Sequence, residues 1–172
     1  MTSYKERLKK ITTIILDVDG VLTSGEVYFT NGDVMRALFS KDGYALQYAV
    51  KKGFNFFVIT GGSSQQIKDS LEWLGASEVF LGSSRKSEVY KKLKEKYSIS
   101  DDEVAYMGDD IPDIPVLKEV GFSACPQDAA IEVKQMVHYQ SPVNGGRGCV
   151  RDIVEQIMRV QGKWMNEDAF EW

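Results

Sequence analysis

The sequence predicts an α/β fold, a Rossmann-like doubly wound parallel sheet formed by a single domain over residues 1–172. Three observations predict this class. Short apolar runs rich in β-branched and aromatic residues alternate with amphipathic segments, which is the pattern of a parallel sheet covered by helices. Polar side chains directly follow several of these runs. The composition, with 43% hydrophobic and 27% charged residues, is typical of a soluble globular protein.

The apolar runs define the expected strands, since each is about as long as a buried strand and is followed by glycine or polar residues. The strands expected in the parallel sheet are residues 12–16, 54–59, 78–81, 104–107 and 122–124. After the first of them, residues 26–39 contain two strand-like runs around Asn31 and Gly32. Both residues of an Asn-Gly pair tolerate positive φ, so this segment predicts an inserted β-hairpin.

Helices are expected between the strands, where capping residues and glycines mark their ends. Asp42 is expected to cap a helix that ends at Gly53, and Ser63 with Gln66 has the spacing of a capping box at the start of the next helix. The expected helices are residues 42–52, 63–74, 86–96, 113–120, 129–135 and 149–161. The last of them leads into a C-terminal tail, so that helix and tail together span residues 149–172.

Composition and charge limit the binding partners and the cellular compartment that are expected for this chain. The formal net charge is −4, and an acidic chain is not expected to bind nucleic acid nonspecifically. The apolar runs are far shorter than the roughly 18 residues of a membrane span, and the first ten residues lack the apolar region of a secretory signal. We therefore expect a cytoplasmic protein without membrane or nucleic-acid partners, in which Cys125 and Cys149 are small buried hydrophobes.

Acidic and other polar residues follow the ends of four expected strands. These residues are Asp17, Asp19, Thr60, Lys86, Asp109, Asp110 and Asp113. Parallel sheets bind ligands beyond the carboxyl ends of their strands, so we expect these side chains to meet in one crevice. Converging carboxylates repel each other unless a hard divalent cation lies between them, and Mg²⁺ suits a site with few protein oxygens. A lysine and a threonine hydroxyl beside Mg²⁺ indicate phosphoryl transfer.

The motifs DVDGVLT (17–23), Thr60, Lys86 and GDDIPD (108–113) resemble, in order, the four motifs of the haloacid dehalogenase (HAD) phosphohydrolases. This resemblance implies a nucleophilic Asp17 that forms an aspartyl-phosphate and an Asp19 that acts as general acid and base. It also implies that Thr60, Gly61 and Lys86 bind the phosphoryl oxygens. By the same resemblance Mg²⁺ is held by the Asp17 carboxylate, the Asp19 main-chain carbonyl and Asp109, with support from Asp110 and Asp113.

Further segments resemble the HAD phosphatases that act on 3-deoxy-D-manno-octulosonate 8-phosphate (KDO 8-phosphate) in lipopolysaccharide precursor synthesis. They are the hairpin, KDGYAL (41–46), GGRG (145–148), VRDIV (150–154) and QGKW (161–164). The resemblance implies a capless homotetramer in which a neighbouring subunit closes the active site. It also implies that Arg147 and Arg151 bind the carboxylate of the sugar acid, because a guanidinium pairs well with a carboxylate.

One position departs from that family, which usually has Thr-Gly-Arg where this sequence has Thr60, Gly61 and Gly62. The exact sugar is therefore open, and a phosphatase of a nonulosonate 9-phosphate (KDN or N-acylneuraminate) is the alternative, although Arg147 favours the eight-carbon substrate.

Two other functional classes compete with the phosphatase. A catalytically silent HAD scaffold that acts only as an oligomeric interaction module would not require the acids, Thr60 and Lys86 together. A phosphorylatable signalling receiver would have its reactive aspartate after the third strand, where this sequence has Leu81 and Gly82.

Overall fold

The computed structural model describes residues 4–30 and 33–171. Its strands are β1 (Thr13–Leu16), β2 (Tyr28–Thr30), β3 (Asp33–Met35), β4 (Asn55–Ile59), β5 (Glu78–Phe80), β6 (Val104–Met107), β7 (Phe122–Cys125) and β8 (Tyr139–Gln140). Its helices are α1 (Tyr4–Leu8), α2 (Ser40–Lys51), α3 (Gln65–Trp73), α4 (Lys86–Tyr97), α5 (Ile114–Leu117), α6 (Ile131–Lys134) and α7 (Cys149–Val160).

Six strands form one parallel sheet in the order β5-β4-β1-β6-β7-β8. The order reverses at β1, which has β4 on one side and β6 on the other. Leu16 at the end of β1 is in register with Val58 and Met107, so the three central strands end at the same level. The predicted doubly wound α/β fold is confirmed, and its switch point lies at β1.

Both faces of the sheet are covered, which is why the strands are apolar throughout rather than alternating. All four residues of β1 are buried. Ile14 and Leu16 pack into the cluster that includes residues of α1, α2, α3 and α7, whereas Ile15 packs on the other face with residues of α4, α5 and α6. This alternation of side chains between two covered faces fixes β1 in place, and with it the polar segment that follows.

The inserted hairpin consists of β2 and β3, which pair antiparallel with Tyr28 opposite Met35. Its predicted turn at Asn31 and Gly32 lies outside the described residues. Tyr28, Phe29 and Met35 are 55%, 85% and 54% exposed. The hairpin therefore presents an apolar surface that its own chain leaves largely uncovered.

Asp42 does not cap α2, contrary to the prediction. It lies within the first turn of α2, is 1% exposed, and its carboxylate accepts a hydrogen bond at 2.7 Å from the backbone N–H of Arg151 in α7. A carboxylate at a helix N-terminus is stabilised by the free N–H groups there, so Asp42 joins the start of α7 to α2.

The other errors concern the ends of elements. Ser64 rather than Ser63 caps α3, because its hydroxyl accepts from the Ile67 N–H. The predicted helix at 129–135 is only α6, since the Ala130 N–H bonds to the carbonyl of Asp109 and keeps the preceding residues in a turn. The helix predicted at 113–120 is a 3₁₀ turn followed by the single turn α5. Neither α1 nor β8 was predicted, because each is too short to produce a recognisable period.

Among the described residues, no helix is long and apolar enough to cross a membrane.

Candidate active site

A crevice of about 440 Å³ lies at the carboxyl ends of the central strands. It is lined by Asp17, Asp19, Gly20, Gly25, Thr60, Gly61, Gly62, Ser83, Ser84, Lys86, Asp109, Asp110, Pro112 and Asp113. All the residues predicted from the strand ends are therefore brought together. They meet because β1, β4 and β6 end at one edge of the sheet and α4 begins there.

Lys86 is the central cation of the crevice. It is 6% exposed, and its Nζ lies 2.9 Å from Oδ2 of Asp17 and 2.7 Å from Oδ1 of Asp113. Burial alone would lower the pKa of Lys86, but the two carboxylates outweigh burial and raise it. The ammonium is therefore charged, and its position is determined by two acids from different strand ends.

Asp113 is completely buried and has its hydrogen-bonding capacity filled. Oδ1 accepts from Lys86 and, at 2.5 Å, from the hydroxyl of Tyr106, while Oδ2 accepts from the backbone N–H groups of Asp109 and Asp110. Four donors to one carboxylate leave it little capacity for a further ligand. Asp113 thus holds Lys86 and the backbone of the segment that carries Asp109.

Asp17 and Asp109 carry the carboxylates that lie beside that of Asp113. Oxygens of Asp17, Asp109 and Asp113 lie within 4.8 Å of one another. Burial, together with repulsion from Asp113, raises the pKa of Asp17 to about 6 despite Lys86, and burial with repulsion from Asp17 raises the pKa of Asp109 to about 7. Because Asp113 is already occupied, the oxygens of Asp17 and Asp109 are the ones that fit a hard divalent cation. Asp110 is exposed and caps the adjoining 3₁₀ turn through the Ile111 N–H.

Asp19 and Gly20 determine the shape of the turn after β1. Asp19 has extended backbone angles and Gly20 has a φ of +81°, a conformation that glycine adopts without strain. A Cβ at Gly20 would overlap the carboxylate of Asp109, and a Cβ at Gly145 would overlap the carbonyl of Gly20. The two glycines allow the turn to fit between Asp109 and the GGRG loop.

The Asp19 carboxylate faces a residue that the sequence did not single out. Arg36, which follows β3, donates from Nε to Oδ1 at 2.6 Å and from Nη2 to Oδ2 at 3.1 Å. No motif marks Arg36, and only its approach across the base of the hairpin reveals it. Tyr106 was missed as well, because its place on β6 was explained by strand propensity alone.

Thr60 follows β4 and is 2% exposed. Its hydroxyl accepts from the Gly62 N–H at 3.1 Å, and its carbonyl accepts from the Ser83 N–H at 2.8 Å. The Thr60 hydroxyl proton remains available to an oxygen in the crevice.

The two arginines predicted to bind a carboxylate lie in different surroundings, and neither is among the residues that line the crevice. Arg147 is exposed on the GGRG loop, close enough to the hairpin to act on the pKa of Tyr28. The Arg151 guanidinium lies over the rings of Tyr44 and Trp164, 5.7 and 5.1 Å from their centroids. Within one chain, the Arg151 side chain therefore lies against aromatic rings of α2 and of the C-terminal tail.

Residues 74–153 match the family model described as haloacid dehalogenase-like hydrolase. The chain is 35% identical over 158 residues to the 3-deoxy-D-manno-octulosonate 8-phosphate phosphatase KdsC of Escherichia coli K12, covering 91% of this chain and 84% of that protein. It is 33% identical to KdsC of Yersinia pestis, covering 92% of this chain and 85% of that protein.

Solved structures show the same relationship. The Yersinia pestis phosphatase superposes with a TM-score of 0.92 at 31% identity, over 94% of this chain and 88% of that chain. The Moraxella catarrhalis phosphatase, solved in complex with magnesium ion, phosphate ion and KDO, superposes with a TM-score of 0.92 at 28% identity, over 95% of each chain.

Proposed function

This chain belongs to the family of the 3-deoxy-D-manno-octulosonate 8-phosphate phosphatases within the haloacid dehalogenase-like hydrolases, and from this premise we propose that it hydrolyses KDO 8-phosphate to KDO and inorganic phosphate in lipopolysaccharide precursor synthesis. One observation carries the proposal. The buried chain of ion pairs from Asp17 through Lys86 to Asp113 lies in the crevice that also holds Asp19 and Asp109. This arrangement supplies a nucleophile, an acid-base group and cationic support for a phosphate.

Asp17 is the nucleophile. A carboxylate oxygen of Asp17 attacks phosphorus while the bond from phosphorus to the sugar oxygen breaks, and the product is an aspartyl-phosphate with a free sugar alcohol. Val18 N–H and Lys86 each bind one oxygen of Asp17, at 2.7 and 2.9 Å, and so hold the carboxylate toward the crevice.

Asp19 moves the protons. It gives a proton to the leaving sugar oxygen and then takes one from the water that attacks phosphorus of the aspartyl-phosphate, which releases Asp17 and inorganic phosphate. Its side chain is 33% exposed, whereas that of Asp17 is 10% exposed, so Asp19 lies toward the open side where the sugar must be.

The Mg²⁺ cofactor is held by the carboxylates of Asp17 and Asp109 and by the main-chain carbonyl of Asp19. When bound, it neutralises carboxylate charge and the charge that builds on the phosphoryl oxygens. Asp113 and Asp110 support this site from outside it, the former by binding backbone N–H groups and the latter by capping the adjoining turn.

Thr60, Gly61 and Lys86 bind the phosphoryl oxygens through a hydroxyl, a backbone N–H and an ammonium. Arg147 binds the sugar-acid carboxylate. The proposal does not retain Arg151 for this role, because that guanidinium is stacked on aromatic rings and paired with Glu155 at 3.5 Å.

The chain acts in the cytoplasm as a capless single domain and as a homotetramer whose neighbouring subunit closes the site. The exposed apolar residues of the hairpin support the assembly. The C-terminal tail packs on its own chain, since Asp168 pairs with Lys52 at 2.6 Å and Trp164 is buried against α2. The site is therefore closed by a segment of the neighbouring subunit other than its C-terminal tail.

The test is Mg²⁺-dependent phosphate release from KDO 8-phosphate, KDN 9-phosphate, N-acylneuraminate 9-phosphate and common sugar phosphates at matched concentrations. KDO 8-phosphate should have the highest kcat/KM, and Asp17→Asn should abolish release while leaving the circular dichroism spectrum unchanged. A clear preference for a nonulosonate phosphate would move the substrate to the alternative, and no release from any ester would favour the silent module.

The role of Arg147 has its own measurement. Arg147→Ala should raise KM for the sugar acid far more than KM for a small ester without a carboxylate, because the contact lies away from the transferred group. Arg159→Ala is the matched control, since Arg159 is an exposed α7 arginine that pairs with Glu155 of the same helix. Equal losses on both esters would contradict the assignment.

A further inference from the structure

The helix α7 begins without a capping side chain of its own. Its N-cap residue is Gly148, which has a φ of +115° and makes no side-chain hydrogen bond to the first turn. The free N–H groups at a helix start usually receive an oxygen from the side chain of the N-cap residue. Asp42 supplies this oxygen from α2, since its carboxylate accepts at 2.7 Å from the N–H of Arg151, the third residue of α7. One helix is therefore capped by a side chain of another.

The capped turn continues directly from the GGRG loop (145–148), which lies against the turn after β1. The Gly146 N–H donates to the carbonyl of Val21 at 2.8 Å, and the thiol of Cys149 donates to the same carbonyl at 3.3 Å. Arg147 lies between the Gly146 contact and the capped turn of α7. The path of the backbone at Arg147 therefore depends on both ends of this short segment.

Stability alone does not explain the burial of Asp42. The residue is 1% exposed, and its Oδ2 has no hydrogen-bond donor among the described residues. Burial raises the pKa of Asp42 to about 6 despite the hydrogen bond from Arg151, so at pH 7 the group is mainly a carboxylate. Burial of a charge with one unpaired oxygen costs free energy, and proteins accept such costs most often at functional segments.

We propose that Asp42 is a positioning residue that fixes the start of α7 and thereby holds Arg147 where it meets the carboxylate of the substrate. This inference rests on the proposed function, in which Arg147 binds the sugar acid. Asp42 is buried between α2 and α7, outside the crevice, and touches neither the substrate nor the reacting atoms. It acts through the backbone of α7 alone.

The proposal predicts an effect that depends on whether the substrate has a carboxylate. A hydrogen bond to a charged group corresponds to about 10- to 100-fold in affinity, so Asp42→Ala should raise KM for KDO 8-phosphate by about that factor. KM for p-nitrophenyl phosphate, which has no carboxylate, and kcat for both esters should stay within about 3-fold. A general loss of structure would not separate the two esters in this way.

Two further variants control for packing. Gln161→Ala is the matched control, since the Gln161 side chain donates to the carbonyls of Leu8 and Ile11 at 2.9 and 2.7 Å, at the opposite end of α7. It should change KM for neither ester. Asp42→Asn keeps an acceptor oxygen without the charge, should raise KM for KDO 8-phosphate less than Asp42→Ala does, and answers the question if the alanine variant does not fold.

Two measurements test the path from Asp42 to Arg147. In an Arg147→Ala background, adding Asp42→Ala should raise KM for KDO 8-phosphate by less than about 2-fold, because the same interaction is already lost. Without any substrate, hydrogen exchange followed by mass spectrometry should show peptides covering residues 145–154 exchanging about 10-fold faster in Asp42→Ala than in the wild type. Gln161→Ala should leave these peptides unchanged.

Equal rises of KM on both esters, an additive double variant or unchanged exchange over residues 145–154 would each overturn the positioning role. A KM for KDO 8-phosphate that Arg147→Ala leaves unchanged would overturn it as well. These failures are distinct from failure of the proposed function. If the wild-type protein hydrolyses KDO 8-phosphate and Asp17→Asn does not, the phosphatase stands whatever the Asp42 variants show.

Discussion

Gly20→Ala tests the metal site without removing any proposed ligand. Gly20 has a φ of +81°, and a Cβ built there would overlap the Asp109 carboxylate, whose farther oxygen is 2.9 Å away. The side chain of Asp109 can rotate away, but rotation takes its oxygens out of the cluster with Asp17. The substitution should therefore weaken Mg²⁺ binding through a displaced carboxylate.

The expected size follows from two separate effects. An alanine in the left-handed region costs about 1–2 kcal/mol, which corresponds to a fall in Tm of roughly 2–8 °C for a chain of this length. Changes in the groups that orient a metal ligand typically cost about 10- to 100-fold in metal affinity. The Mg²⁺ concentration for half-maximal activity should rise by about that factor, or about 1.4–2.7 kcal/mol of binding free energy.

Gly53→Ala is the matched control. Gly53 has a φ of +88°, and no atom of the described residues lies within 4 Å of its would-be Cβ, so it carries the backbone strain without the contact. Thermal unfolding of both metal-free variants and calorimetric Mg²⁺ titration separate the two effects. If Gly20→Ala and Gly53→Ala lose similar stability but bind Mg²⁺ equally well, Asp109 is not held at the metal by the close approach of Gly20.

Three other outcomes follow from the structure. Tyr106→Phe removes a fully buried donor to an ionised carboxylate, and urea unfolding should show a loss of about 1.5–3 kcal/mol; a loss under 0.5 kcal/mol would contradict this. Asp17 and Asp109 have pKa values raised to about 6 and about 7, so the metal-free folded state binds more protons than the unfolded chain, and its unfolding free energy should fall as the pH rises through that range. Saturating Mg²⁺ should flatten or reverse this slope in thermal unfolding series, and an unchanged slope would argue against a metal between these groups. Arg151→Ala should lower Tm but leave KM for the sugar acid unchanged, whereas Arg147→Ala should raise KM and leave Tm unchanged. A raised KM for Arg151→Ala would show that Arg151 binds the substrate.

The sequence was sufficient to predict the crevice because its geometry follows from the sheet. Once the apolar runs are assigned to parallel strands, the residues that follow them must meet at one edge, however far apart they are in the chain. Asp17, Thr60 and Asp109 were located in this way, and the register of the central strands agrees. Lys86 was predicted from its position at the start of α4. No side-chain pattern distinguishes it from the other lysines of that helix.

The errors concern contacts that local rules do not encode. Asp42 has the local features of a helix cap, but the N–H group that it binds belongs to Arg151, 109 positions along the chain. Burial raises the pKa of Asp42 to about 6, a consequence of tertiary packing alone. The surroundings of Arg151 likewise depend on tertiary packing, because its guanidinium lies over the ring of Trp164 in the C-terminal tail.

The short turn after β1 is held from two sides, and a different carboxylate is contacted on each side. On one side Arg36, at the base of the hairpin, holds the carboxylate of Asp19. On the other, the GGRG loop approaches Gly20, which is itself in close approach to Asp109. A change at Arg36 should therefore act first on the carboxylate of Asp19, whereas a side chain at Gly20 should first displace the carboxylate of Asp109.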